Sequence, residues 1–155
     1  MKINGNLGAS CIVLCDNSVL LARHTYGPAK GKYFVPGGHL HQGEMLEQAA
    51  VREVLEETSV NVVIRGILHI QFAPDSVWVI FLADYVSGTP VSDNKENDSV
   101  LFIDVNEALS SESVSNTTKY FIKNAVNKDK NIFTLSDYVN VSNPNITREN
   151  WRLYG

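Results

Sequence analysis

The sequence predicts an α/β fold in which a β-sheet lies between helices. The segment from Val77 to Val86 is apolar at both of its alternating sets of positions, so a strand there must be covered on both faces. Two other segments, Met45 to Thr58 and Ser115 to Val126, have the length and the mixed polar and apolar composition of helices. Together these segments predict one sheet with helices packed on both of its faces.

The first 35 residues predict a β-hairpin, a loop and a short strand. Apolar and β-branched residues from Leu7 to Leu14 predict a buried strand, and Asp16-Asn17 is a turn signal. The segment from Val19 to Ala22 predicts the return strand of a hairpin. The polar segment from Arg23 to Lys32 predicts a loop, and Tyr33 to Val35 predicts a short strand.

Proline and glycine predict the turns that follow. We expect a turn at Pro36 to Gly38, in which proline presets φ and a glycine takes a positive φ. Gly66 interrupts the β-rich segment from Val60 to Phe72, which predicts two strand segments with a bend or bulge. Pro74 to Ser76 predicts another turn. The remaining expected elements are a polar connection over Gly88 to Ser99, a strand over Val100 to Val105 and a helical turn over Asn106 to Leu109.

Length and charge restrict the class of protein. With 155 residues and a hydrophobic fraction of 44%, the chain can bury a core, and we expect one domain over residues 1–155. The net charge of −4 and the absence of any basic run argue against nucleic-acid binding. The N-terminus has no apolar segment typical of a signal peptide, and the longest apolar run, Val77 to Ala83, is too short to span a membrane.

The cysteines and the C-terminal segment add two expectations. Cys11 and Cys15 lie four positions apart on a predicted strand, too far for a disulfide, so we expect free thiols in a reducing cytoplasm. From residue 128 to 155 the chain is polar but includes Tyr138, Trp151 and Tyr154. It could be a docked arm, a contact in a homodimer or a loose end. We expect a docked arm, because loose tails rarely carry so many aromatic residues.

The helix from Met45 to Thr58 is predicted to carry an acidic face. At about 100° per residue, Glu53, Glu56 and Glu57 fall on one side. An acidic helix face is by itself more often simply solvated. However, neighbouring carboxylates repel one another, and a hard cation such as Mg²⁺ would remove that cost. The opposite side, predicted to dock on the core, carries Val51, Val54, Leu55 and Thr58.

The spacing around this helix is specific. Gly38 is followed after five residues by Glu44, then after seven residues by Arg52-Glu53, an aliphatic residue, one more position and Glu56-Glu57. This pattern resembles the box of the Nudix family, with Ser59 in place of the family's final glycine. The resemblance implies an α/β/α sandwich with a mixed sheet over roughly residues 5 to 127, and Mg²⁺ or Mn²⁺ as the cofactor.

The resemblance also implies roles for individual residues. Glu53 and Glu57 match the principal metal ligands, while Glu56 and the main-chain carbonyl of Gly37 match additional ligands. Arg52 matches the arginine that holds the first helix glutamate, and Glu44 matches its structural partner. The general base varies within the family, between a helix glutamate and an acid from a later loop. The later acid here would be Glu96, with Asp93 and Asp98 as less favoured candidates.

Other polar residues near the box are candidates for substrate contacts, although each is also explained as part of a solvated loop. Those in the loop after the hairpin are Arg23, His24, Lys30 and Lys32, and those in the box loop are His39 and His41.

Three functions are compatible with these residues. The first is metal-assisted hydrolysis of the diphosphate in a nucleoside diphosphate linked to a group X. ADP-ribose or another nucleotide sugar is the first expectation for the substrate, and a nucleoside triphosphate the second. The alternatives are a nucleotide-sensing module on the same fold that has lost turnover, and an acidic structural domain. Ser59 slightly favours the sensing module, whereas the complete set of glutamates favours the enzyme.

Overall fold

The computed structural model describes residues 6–127, 131–136 and 153–155. Within these residues, seven strands form one sheet, and three α-helices and one short 3₁₀ helix (Gly27–Ala29) accompany it. The strands are β1 (Asn6–Cys15), β2 (Ser18–His24), β3 (Tyr33–Phe34), β4 (Gly37–His39), β5 (Asn61–Ala73), β6 (Ser76–Ser87) and β7 (Asn97–Asp104). The α-helices are α1 (Leu46–Thr58), α2 (Val105–Ser110) and α3 (Asn116–Ala125).

The sheet is mixed, as the resemblance implied. Its main path runs β3-β2-β1-β6-β5, with β4 paired to β1 and β7 paired to β2. Strands β1 and β6 are parallel, whereas every other pair is antiparallel. One edge of β1 is divided between two partners: Gly8 to Ser10 pair with β4, while Leu14 and Cys15 pair with β2. This division lets the short strand β4 enter the sheet directly in front of α1.

Helices cover both faces of the sheet, which confirms the predicted sandwich. On β6, Phe81 packs in the cluster that contains Val54 of α1, whereas Ile80 packs in the cluster that contains Ile122 of α3. The alternating apolar positions of β6 therefore serve two separate core layers. Among the described residues the longest helix is α1, with 13 residues, and none of the helices could cross a membrane.

The predicted turn at Pro36 to Gly38 is wrong. Gly37 and Gly38 belong to strand β4, and neither has a positive φ. Glycine is needed there for close approach instead. A Cβ atom on Gly37 would collide with Ser10 of β1, and a Cβ atom on Gly38 would collide with the carboxylate of Glu53. The two glycines thus allow β4 to lie between β1 and the acidic side of α1.

Three further predictions need adjustment. Strand β5 is continuous rather than two segments, although its register shifts between Ile64 and Gly66 as a bulge would require. Strand β7 begins at Asn97 rather than Val100. Leu55 is 46% exposed and does not dock on the core with Val54. The other predicted strands and helices agree with the structure to within one or two residues at most of their ends.

The described parts of the C-terminal segment contact the domain. The main chains of Phe133 and Ile67 exchange two hydrogen bonds, of 2.8 and 3.0 Å, along the edge of β5. The Tyr154 hydroxyl donates to the Glu47 carboxylate on α1 at 2.8 Å. Tyr138 and Trp151, which entered the expectation of a docked arm, lie outside the described residues. Cys11 is a buried free thiol and Cys15 is a half-buried one.

Helix α1 ends at Ser59, the residue that departs from the box pattern. Ser59 has φ 60° and ψ 21°, in the left-handed region, and its N–H donates to the carbonyl of Leu55 at 2.9 Å. This is the helix ending that glycine normally provides. The backbone at Ser59 therefore has the left-handed geometry that glycine adopts most easily, and serine bears the conformational cost.

Replacing this serine by glycine should stabilise the protein. Ser59→Gly relieves the left-handed strain and should raise the free energy of unfolding by about 1 kcal/mol. The melting temperature should then rise by about 2–4 °C, measurable by circular dichroism or calorimetry. Ser59→Ala is the matched control, because alanine keeps a Cβ and should give no such gain. Equal melting temperatures for the glycine and alanine variants would contradict this account of Ser59.

Candidate active site

The guanidinium group of Arg52 joins the box loop to helix α1. Its Nε and Nη2 atoms donate to the two oxygens of Glu44 at 2.8 and 3.0 Å, a bidentate ion pair. Nη1 donates to Glu53 at 2.7 Å, and Nη2 also reaches the main-chain carbonyl of His39 at 3.0 Å. The hydrogen bond from Arg52 is the first cause that lowers the pKa of Glu44, so this carboxylate stays charged. Glu44 and Arg52 thus form the pair that the resemblance implied.

The three helix glutamates lie in different environments. Glu53 is mostly buried and bonded to Arg52, whereas Glu56 is exposed and lies 3.3 Å from Arg52 Nη1. Glu57 is only 7% exposed, and its carboxylate accepts a hydrogen bond from the N–H of Gly37. The acidic side of α1 is therefore not one solvated surface. This side of the helix includes the buried carboxylate of Glu57 near β4 and the exposed carboxylate of Glu56.

The charge of Glu57 is disfavoured in the protein without bound metal. Burial raises its pKa to about 8, and the negative charges of Glu53, Glu96 and Asp93 contribute to the increase. The hydrogen bond from Gly37 acts in the opposite direction but does not compensate. Carboxylates from α1 and from the turn before β7 thus lie close enough to Glu57 to raise its pKa.

The turn over residues 93–97 carries Glu96 to the end of α1. The Asp93 carboxylate accepts hydrogen bonds from the main-chain N–H groups of Lys95, Glu96 and Asn97, at 2.9 to 3.2 Å. Asn97 is 1% exposed, and its Nδ2 donates to the main-chain carbonyl of Glu57 at 3.1 Å. Asp93 is therefore engaged in shaping the turn, and Asn97 attaches the turn to the end of α1.

The same turn is fastened to the end of β2. The main-chain N–H of Thr25 donates to the carbonyl of Glu96 at 3.1 Å, and the Thr25 hydroxyl reaches the carbonyls of Lys95 and Glu96. The hydroxyl of Tyr26 donates to Oε2 of Glu96 at 3.2 Å. The sequence predicted only a loop around Tyr26 and only a polar connection around Asn97, and it assigned neither residue to the site. No periodicity or motif in the sequence distinguishes them from solvated residues.

The candidate substrate contacts are mostly engaged with other protein groups. Arg23 forms a 2.7 Å ion pair with Asp98, so this acid is held away from the role of base. His24 lies against the ring of Phe34, with centroids 4.8 Å apart, and burial lowers its pKa. Lys32 donates to the carbonyl of Glu112 at 2.6 Å. Two further candidates, Lys30 and His41, are exposed, as is His39, which packs edge-on against Trp78.

The donor set fits a hard divalent cation in chemistry. Glu53, Glu56 and Glu57 offer oxygen ligands, and the pKa of Glu57 is raised first by burial and then by nearby negative charge, which a cation would offset. Within residues 6–127, 131–136 and 153–155, no three acidic, histidine or cysteine side chains already converge as a metal cage. Arg52 instead holds Glu53 and contacts Glu56.

Comparisons with known proteins agree with this geometry. The NUDIX domain model matches residues 6–125. The NAD-capped RNA hydrolase NudC of Vibrio atlanticus is 37% identical over 121 residues, which are 75% of this chain and 45% of that protein. The ADP-ribose pyrophosphatase of Methanocaldococcus jannaschii is 32% identical over 83 residues, 50% of this chain and 49% of that protein. The chain thus spans about half the length of these two relatives.

A solved structure supports the same assignment. The NUDIX hydrolase of Nitrosomonas europaea superposes with a TM-score of 0.66 at 26% identity, covering 77% of this chain and 69% of that one. The family model includes every strand of the sheet, the three helices and the whole box with its Arg52–Glu44 pair. The chain belongs to the Nudix hydrolase family.

Proposed function

We propose that the protein is a divalent-cation-dependent pyrophosphohydrolase acting on a nucleoside diphosphate linked to a group X. The observation that carries this proposal is the buried position of the Glu57 carboxylate near other acidic groups. This buried carboxylate lies at the end of an arginine-clamped acidic helix and is influenced by the charges of Glu53 and Glu96. A cluster that disfavours its own ionisation suits a function that brings in a cation together with an anionic diphosphate.

Nudix hydrolases in general require divalent metal ions. Here Glu53, Glu56, Glu57 and the main-chain carbonyl of Gly37 would hold Mg²⁺ or Mn²⁺. The bound ion would supply charge neutralisation for the diphosphate and acidify a coordinated water. Arg52 keeps Glu53 at the β4 side of the helix, and Gly38 gives that carboxylate the room it occupies.

Glu96 is the proposed general base. In the reaction a water oxygen attacks one phosphorus of the diphosphate, and the bond from this phosphorus to the bridging oxygen breaks. The bridging oxygen leaves with the electron pair as part of the second phosphate group. The Glu96 carboxylate takes the proton of the attacking water. This role is supported because Asp93 is used in shaping the turn and Asp98 is paired with Arg23, whereas the Glu96 carboxylate is near enough to Glu57, at the end of α1, to raise its pKa.

ADP-ribose and related dinucleotides are the first candidates for the substrate. The two relatives are named for NAD-capped RNA and ADP-ribose, and both compounds contain adenosine diphosphate joined to a ribose. The net charge of −4 favours a small molecule over a capped RNA.

The free thiols of Cys11 and Cys15 are consistent with a reducing cytoplasm.

A substrate panel with a matched inactive variant tests the reaction. With Mg²⁺ or Mn²⁺, the protein should release phosphate-containing products from one group among ADP-ribose, other nucleotide sugars, NAD, NAD-capped RNA and nucleoside triphosphates. Glu57→Gln keeps the shape of the side chain but loses its charge, and should lower kcat by about 100-fold or more. Chromatographic product analysis identifies the bond that is cleaved. Binding of a nucleotide without metal-dependent turnover would instead favour a sensing module.

The pH dependence of stability tests the environment of Glu57 independently of turnover. The folded pKa is about 8 against an ordinary value of 4.5, so the folded state retains a proton that the unfolded state has lost between these values. The contribution of Glu57 to the free energy of unfolding is greatest below about pH 4.5. It decreases as the pH rises from about 4.5 to about 8, and it stays constant at higher pH. The slope approaches about 1.4 kcal/mol per pH unit within that window.

Urea unfolding in EDTA at several pH values between 5 and 8.5 measures this effect. The free energy of unfolding of the wild type, relative to Glu57→Gln, should decrease with rising pH by a few kcal/mol in all. The comparison with the glutamine variant removes contributions from other groups, such as the low pKa of Glu44. Parallel curves for the two proteins would show that the Glu57 carboxyl titrates normally.

A further inference from the structure

We propose that Tyr26 is a positioning residue that holds the Glu96 carboxylate beside the end of helix α1. This inference rests on the proposed function, in which Glu96 is the general base. Tyr26 lies two positions after the end of β2, at the N-cap position of the 3₁₀ helix Gly27–Ala29, where it is extended and makes no side-chain capping hydrogen bond. Its hydroxyl lies 3.2 Å from Oε2 of Glu96 and can only donate to a charged carboxylate.

The two segments that carry this pair are already aligned by their main chains. Thr25 makes its N–H and hydroxyl contacts to the carbonyls of Lys95 and Glu96, at 3.1 to 3.2 Å. Asp93 fixes the N–H groups of the turn from the other side. The main chain at Glu96 is therefore held in place without a contribution from the side chains of Tyr26 and Glu96. These contacts do not fix the direction of the Glu96 side chain. The Tyr26 hydroxyl restricts that direction by its hydrogen bond to the carboxylate.

The acidic groups near Tyr26 affect the pKa of its hydroxyl. Burial and the charge of Glu96 raise the pKa of Tyr26, and the charges of Glu57 and Asp93 contribute as well. The phenol therefore stays protonated and remains a donor under ordinary assay conditions. A carboxylate that turns away from the site loses the hydrogen bond to Tyr26, so the bond restricts Glu96 to orientations facing the helix.

The ring of Tyr26 offers an alternative role. Tyr26 is 54% exposed, with its ring centroid 5.9 Å from that of His24, so the ring itself could contact an aromatic part of the substrate. The two roles use different atoms. Positioning needs the hydroxyl and acts through Glu96, whereas stacking needs the ring and acts on substrate binding. Tyr26→Phe separates them, since it removes the hydroxyl and keeps the ring.

A double-mutant cycle tests the proposal. Steady-state kinetics with Mg²⁺ would compare the wild type, Tyr26→Phe, Glu96→Gln and the double variant, using the panel compound that the wild type hydrolyses fastest. Tyr26→Phe should lower kcat about tenfold and leave KM within about twofold. Glu96→Gln should lower kcat about 100-fold or more. In the Glu96→Gln background, the tyrosine substitution should have no further effect, because its target is already gone.

Controls keep the outcomes distinct. Tyr120→Phe, another exposed tyrosine whose described ring contacts are to His69 and Phe121, should not change kcat or KM. Melting temperatures of all variants verify folding. A wild-type kcat in Tyr26→Phe, a raised KM with unchanged kcat, or an equal loss in the Glu96→Gln background would each overturn the positioning role while the proposed hydrolase stands. A wild type inactive across the panel would overturn the proposed function, and this inference with it.

Discussion

One arginine side chain organises the acidic site. The guanidinium group of Arg52 donates hydrogen bonds to Glu44, to Glu53 and to the carbonyl of His39. A single planar group therefore joins the box loop, strand β4 and helix α1. Among the described residues, Arg52 is the cation that pairs with the partly buried carboxylates of Glu44 and Glu53. Arginine suits the position better than lysine because its fork meets one carboxylate with two bonds and still reaches a second. The loop and the helix therefore depend on each other for their electrostatic balance.

Close packing and charge are also coupled where the same helix faces β4. Gly37 and Gly38 let β4 approach α1, and this approach buries Glu57 under the N–H of Gly37. A buried carboxylate that shares its surroundings with other acids disfavours its own charge and lowers the stability of the folded protein at neutral pH. Such groups are typical of sites selected for chemistry rather than for stability. The strain at Ser59, at the end of the same helix, adds a further local cost.

The sequence predicted the sandwich and most of its elements because these depend on local apolar patterns and on the spacing of the box. The prediction at Pro36 to Gly38 failed because the glycines were expected to provide a positive φ. In the structure they are required because a Cβ atom at either position would collide with Ser10 or Glu53. Leu55 was assigned to the core by periodicity, but the buried side of α1 includes Glu57 together with Val54, and Leu55 lies away from that side and is exposed. The roles of Tyr26 and Asn97 arise from contacts about 70 and 40 positions away in the sequence, which no local pattern records.

The pairing of β1 also determines when the site can form as the chain folds. Strand β4 depends on β1, and β1 is stabilised along its other edge by β6, whose first residue Ser76 pairs with Asn6. Parallel pairing between distant segments must overcome loop-closure entropy before its contacts contribute, so it is slow compared with helix formation. Glu96 follows later still in the chain. During synthesis the box helix leaves the ribosome before the strand that completes its support, so the carboxylates come together only after most of the domain has been made.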